Sequence, residues 1–278
     1  METETREEKN KRLAEISGEK EYGEATGSSV DQLKLKSGRF VQTYISEGKG
    51  EDGRYTEATL EDPLKIIILK IRRQMTKFKE KAIATEKPEV EYKSAEYDSK
   101  DVPVKVYSSH GDKMLTEATA KKMIPDLKVI IIIYALIVKD GSMVKFTVSG
   151  SSLYASDDEC EERGILRFYN YLQTFKKGEH TFAIRTTLSV TTESFDDNKT
   201  GETREYFAVS FAKSDPLTEK QLDAVGEQMM ELAESVEKYD AMIEKKGVNI
   251  GPAKMSATSV EPMKNYPNEE VNLDDIPF

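Results

Sequence analysis

Cysteine is almost missing from this sequence. One thiol, Cys160, stands in 278 residues, so no disulfide can form within the chain and a reducing compartment is the default expectation. Histidine is nearly as scarce. His110 and His180 have no partner at ligand spacing, which excludes a metal site of the Cys/His kind. Cys160 sits among Asp157, Asp158, Glu159, Glu161 and Glu162, an acidic setting that disfavours a thiolate nucleophile. Long apolar runs are missing too. The longest, Val129 to Val138, is broken only by Tyr134 and is too short to span a membrane, but it suits a buried strand. Residues 1–24 mix charges and lack an apolar stretch, so no signal peptide is expected and the chain reads as soluble and intracellular.

The motifs of common chemistry are absent as well. No G-x-x-x-x-G-K-[ST] or G-x-G-x-x-G occurs, which leaves nucleotide hydrolysis and dinucleotide binding without support. Ser149-Gly150-Ser151-Ser152 lacks the flanking glycines of a nucleophile elbow. Acids are abundant, but no D-x-D or E-x-K cluster falls on a strand end. The expectation is a binding protein, not an enzyme, with no cofactor and no metal.

What the chain does have is charge and β-branched residues. Lys and Arg total 41 against 51 Asp and Glu, a formal net charge of −10, so cations that bind phosphate must be clustered. From Leu33 onward eight segments rich in β-branched and aromatic residues read as strands. They are LKLKSGRFVQTYI, PLKIIILKIRRQMTKFK, PEVEYKSAEY, VPVKVY, LKVIIIIYALIVK, SMVKFTVSGSSLY, HTFAIRTTLSVTTESF and TREYFAVSFAK. Asp140-Gly141 predicts a tight hairpin, because a primed turn needs positive φ. Phe182–Thr192 and Thr203–Ala212 predict a second hairpin around Asp196–Glu202. Between the hairpins, Ser156 with Glu159 makes a capping box for a helix carrying Ile165, Leu166, Tyr169 and Leu172 on one face.

After Lys213 the period changes to 3.5. Thr218 with Gln221 makes another capping box, and Gly247 after Lys245-Lys246 is a stop. Leu222, Val225, Met229, Leu232, Val236, Tyr239 and Ile243 form a seam along this helix. It faces either the chain's own β domain or a second copy in a homo-oligomer. Residues 248–269 hold three prolines without periodicity and read as a linker. The layout is a charged arm over 1–32, a β domain over 33–214, a long amphipathic helix over 215–247, and a linker with tip over 248–278. A mainly β (α+β) domain of this kind suggests an elaborated, partly open antiparallel barrel of the oligonucleotide-binding (OB) type, with an inserted helix. Eight candidate strands exceed the five such a barrel needs.

One strand is cationic. Lys65, Lys70, Arg72, Arg73, Lys77, Lys79 and Lys81 face a single acid, Glu80. Alternation puts Lys70, Arg72, Gln74, Thr76 and Phe78 on one face, with Leu69, Ile71, Arg73 and Met75 on the other. Cations plus a flat ring suit a single strand of nucleic acid; lysines on an edge strand also discourage edge-to-edge pairing, without any ligand. In the late hairpin, Arg185, Arg204 and Tyr206 fall on the polar face, opposite Phe207, Val209 and Phe211. Tyr169, Tyr171 and Phe175-Lys176-Lys177 add aromatic and basic groups nearby in sequence, with Tyr169 assigned to the core.

The last residues read Leu273-Asp274-Asp275-Ile276-Pro277-Phe278. LDDIPF resembles the acidic tip of bacterial and phage single-stranded-DNA-binding proteins, which close on a few acids followed by Ile or Leu, Pro and Phe. The likeness covers about six residues, and the strands upstream do not align with that family's OB domain. The resemblance implies a protein that coats single-stranded DNA and recruits replication, recombination and repair enzymes. Phe278 would enter an apolar pocket, Pro277 and Ile276 would pack beside it, and Asp274 and Asp275 would steer. It also implies a cytoplasmic location in a bacterial cell or a phage-infected bacterium. Two other readings stand beside it: an adaptor or inhibitor that mimics the tip without binding DNA, and an annealing or nuclease protein of the same pathway.

Overall fold

The computed structural model describes residues 30–45, 55–79, 90–108, 111–154, 166–196 and 203–246. The arm, the Ser156–Glu159 capping box, Gly247, the linker and the tip lie outside the described residues. Eleven strands form one mixed sheet. They are β1 (Asp31–Lys36), β2 (Arg39–Ile45), β3 (Tyr55–Thr59), β4 (Leu64–Phe78), β5 (Val90–Ser94), β6 (Val104–Ser108), β7 (Lys113–Leu115), β8 (Lys128–Ile137), β9 (Met143–Val148), β10 (Ile184–Asp196) and β11 (Thr203–Pro216). Among the described residues three α-helices accompany them: α1 (Glu117–Met123), α2 (Phe168–Gln173) and α3 (Glu219–Lys246). Three more strands exist than the eight segments suggested. LKLKSGRFVQTYI is a hairpin of two strands turning at Ser37-Gly38, and β3 and β7 carry too few apolar residues to stand out.

The organising element is β4. Its apolar run is buried on both faces, as a strand sandwiched between two layers must be. One edge pairs antiparallel with β8 from Ile66↔Ile137 to Thr76↔Lys128. The other edge is divided: β10 takes Leu64–Ile67, β5 takes Thr76–Phe78, and Tyr97 bridges Arg73 between them. A bulge between Ile68 and Lys70 corrects one sequence expectation. The extra residue, Leu69, joins Ile67 under α3 and does not share the side of Ile71 and Met75.

From β3 the order runs β2, β1, β9, β8 and β4, where the sheet forks to β10–β11 and to β5–β6–β7. All neighbours are antiparallel except β1 and β9. Among the described residues no pairing joins β11 to β1–β3, so the sheet is open. It is nevertheless rolled. Leu33 and Phe40 at one end and Leu188, Val209 and Phe211 at the other pack into the same core as Ile131, Ile133 and Phe146. Where the ends meet, a Cβ on Gly38 would lie 2.8 Å from the Phe207 ring, and Gly38 holds φ +70° in the β1–β2 turn. Only glycine satisfies both conditions there. Helix α2 plugs this core with Phe168 and Tyr171, and Phe168 meets Phe211 edge-on at 5.3 Å.

Helix α3 covers the opposite face of the sheet. Gln221 Oε1 accepts from the Thr218 backbone N–H at 3.0 Å, the glutamine half of the predicted box. Val225, Leu232 and Val236 are buried, with Leu222 and Met229 packed beside them, against Ile67, Leu69, Ile132, Tyr134 and Leu136. Ile243 is buried further along the seam, and its carbonyl accepts from Tyr107 Oη at 3.1 Å. Of the two expectations for the heptad seam, the chain's own sheet takes the surface that an oligomer through Leu222–Ile243 would need. A third core joins Met75, Tyr97, Val106 and Leu115 to Ala120 and Ile124 of α1 and the segment after it. Among the described residues no helix is long and apolar enough to cross a membrane.

Candidate nucleic-acid interface

The cationic strand is β4, and its charges fall on both faces. On the α3 face, Arg72 is 3 % exposed. Its guanidinium donates to both carboxylate oxygens of Asp240 at 2.9 Å, to Asp98 Oδ1 at 3.1 Å and to the Glu96 carbonyl at 2.7 Å. A planar fork fits a carboxylate in this two-bonded way. Lys70 pairs with Asp98 at 3.2 Å. The Glu96 carboxylate is fully buried between Arg72, at 3.6 Å, and Lys145, and accepts from Tyr134 Oη at 2.8 Å. Lys145 also lies 5.4 Å from the Tyr239 ring centre. Three cations (Lys70, Arg72, Lys145) thus meet three carboxylates (Glu96, Asp98, Asp240). Burial, then the charge of Lys145, pulls the neighbouring Lys93 ammonium below its ordinary value, against the opposing pull of Glu96.

Arg73 points the other way. Its Nε donates to Glu117 Oε2 at 2.8 Å and its Nη2 to Oε1 at 3.1 Å, while Nη1 reaches Tyr169 Oη at 3.3 Å. Glu117 stands in the first turn of α1, where an acid is favoured, and Thr116 caps that turn by accepting from the Thr119 N–H. The same carboxylate accepts from Tyr97 Oη at 3.0 Å and pairs with Lys121 at 3.2 Å. Burial alone would raise the Glu117 pKa, but the Arg73 hydrogen bonds and charge outweigh it and hold the carboxyl below its usual range. The Tyr169 ring in turn carries the Tyr154 ring at 4.7 Å and 32°. Among the described residues, two cations (Arg73, Lys121) share this one acid, which leaves an excess of positive charge there.

The remaining predicted residues are spread over the sheet. Lys77 pairs with Glu91 at 3.2 Å and lies 5.8 Å from the Tyr92 ring. Phe78 is half-buried and Lys79 exposed at the end of β4. Arg185 stands opposite Ile67 of β4 at the base of the late hairpin, beside a bulge. Tyr206 and Arg204 are near its tip, opposite Glu193 and Phe195. Eight residues of β10 separate Arg185 from Glu193, roughly 26 Å at the usual strand rise. Arg185, Arg204 and Tyr206 are therefore not one cluster. Tyr206 Oη donates to Glu193 at 2.8 Å, and Glu193 also meets the buried Arg167. Asp274, Asp275, Ile276, Pro277 and Phe278 lie outside the described residues.

Sequence reading missed the acids Glu96, Asp98, Glu117 and Asp240, and with them Lys121, Lys145 and Tyr154. The partners of Arg72 are 24, 26 and 168 residues away, and Glu117 is 44 residues from Arg73. No motif spacing spans such distances. No protein-family profile matches the chain, and no curated protein or solved structure matches it.

Proposed function

We propose that the chain is a sequence-independent single-stranded-DNA-binding protein that coats single strands and recruits replication, recombination or repair enzymes through Asp274–Phe278. The observation that carries the reading is the order of residues in LDDIPF: acids to steer, then Ile, Pro and an aromatic anchor. The β body supports it. Seven strands, β2-β1-β9-β8-β4-β10-β11, roll around one core plugged by α2, and we read this as an elaborated OB-like barrel. The DNA contacts differ from those expected of the strand as a whole. Arg72 is 3 % exposed and held under α3, so on this reading phosphate contacts fall to the more exposed Lys77 and Lys79 and to the cluster around Arg73.

Fluorescence anisotropy with labelled oligo(dT) and duplex DNA over a salt series tests the reading. The expected outcome is preference for the single strand and an affinity that falls steeply with salt, because cations on phosphate release counterions. Absence of binding at low salt removes the DNA-coating function. One observation favours a second reading, an adaptor that uses the tip without touching DNA: Lys70 and Arg72 are neutralised internally. Pull-down from a bacterial lysate with intact and Phe278→Ala protein separates the two. Enzymes captured by the intact chain alone, with no oligo(dT) binding, identify the adaptor.

A further inference from the structure

We infer that Tyr154, whose ring packs at 32° on the Tyr169 that Arg73 holds, is a platform on which one base of single-stranded DNA stacks. The inference rests on the DNA-binding reading and names a site within it. Tyr154 is 61 % exposed, and among the described residues it is the one aromatic among the large apolar side chains so exposed. Its ring is nevertheless held. The inner face lies 4.7 Å from Tyr169, and Tyr169 Oη accepts from an Arg73 guanidinium that Glu117 grips with two bonds. A ring ordered before binding loses little freedom when a base arrives, which is what makes a stacking surface effective. The residue remains 61 % exposed, at a cost in exposed apolar area that a base would relieve.

Charge complementarity selects the occupant. Arg73 and Lys121 share the single carboxylate of Glu117, and the Lys121 side chain is 50 % exposed. An aromatic face linked through Tyr169 to this cationic pair suits a nucleotide, which offers a π face and a phosphate, whereas duplex DNA keeps its bases within the stack. The site also explains the two-faced placement of β4 charges. Arg72 serves the docking of α3, and Arg73, one residue on and therefore on the opposite side, serves the platform.

The chain contains no tryptophan, so Tyr154→Trp places a single reporter at the site. Oligo(dT) is expected to quench its emission, and duplex DNA is expected not to. Tyr154→Ala should lower oligo(dT) affinity by roughly 5- to 160-fold, the range found when one stacked base loses its partner, with an unchanged salt slope and melting temperature. Tyr154→Phe should bind as the unaltered chain does. Lys121→Ala should reduce the salt slope instead. If the unaltered chain binds oligo(dT) and Tyr154→Ala binds equally well, or if duplex quenches the Trp variant as strongly, the platform is overturned while the DNA-binding reading stands. If the unaltered chain binds no oligo(dT), both fall.

Discussion

Glu96 is a buried acid on which three side chains converge. Its carboxylate is fully buried and touches Arg72, Lys145 and the Tyr134 hydroxyl. Glu96→Gln keeps the shape but leaves two cations without their shared acid, so urea denaturation should show a loss of about 3–5 kcal/mol, the usual result of breaking a buried ion pair from one side. A loss below about 1 kcal/mol would mean that Asp98 and Asp240 compensate. The tyrosines around it make a second prediction. Burial, and then the charge of Glu96, pushes the Tyr239 hydroxyl up to about 12 and Tyr134 in the same direction. An unfolded tyrosine titrates near 10. A group whose folded value is raised contributes stability that is whole below the unfolded value and is lost as pH rises through the folded one. Stability should therefore fall between about pH 10 and 12, and Tyr239→Phe should flatten that limb in alkaline denaturation curves.

At the scale of elements, α3 is fixed by two different means. Its first two thirds are held by Val225, Met229, Leu232 and Val236 on an apolar face, and its last turns by Asp240 on Arg72 and the Ile243 carbonyl on Tyr107. Changing Met229 and Val236 together to Glu puts two charges into that face and should unfold the protein, as followed by circular dichroism and light scattering. A folded variant of unchanged stability would contradict the docking. How α3 could be foreseen, and α1 could not, shows where sequence patterns have power. Seven apolar positions repeating over the length of α3 outweigh any local preference. Helix α1 has seven residues, of which only Glu117 and Ala120 are buried, and so short a segment has no period to detect. Strands announced themselves through β-branched runs, yet Ser37-Gly38 divided one run into two. The site was legible as charge on β4. Its pairing was not, because Asp240 and Glu117 arrive by tertiary packing, which leaves no trace in local spacing.

For the whole molecule, a net charge of −10 and a DNA-binding role are compatible if the acids sit away from the contact surface. Deleting residues 274–278 should leave the melting temperature unchanged if residues 248–269, as their sequence suggests, act as a linker. It should abolish enzyme capture, and oligo(dT) affinity should hold or rise slightly as competing acids are lost. A fall in DNA affinity would place the tip inside the binding surface. The order in which the chain is made adds a last consequence. Arg72 and the Asp240 that covers it are 168 residues apart. At roughly 5–20 residues per second, a ribosome needs roughly 8–34 s to cross that interval. Until then Ile67 and Leu69, and later Ile132 and Leu136, have no helix over them. A nascent chain stalled before Glu219 should bind chaperones that ignore the finished protein, and ribosome profiling of chaperone-bound chains would show engagement ending as α3 emerges.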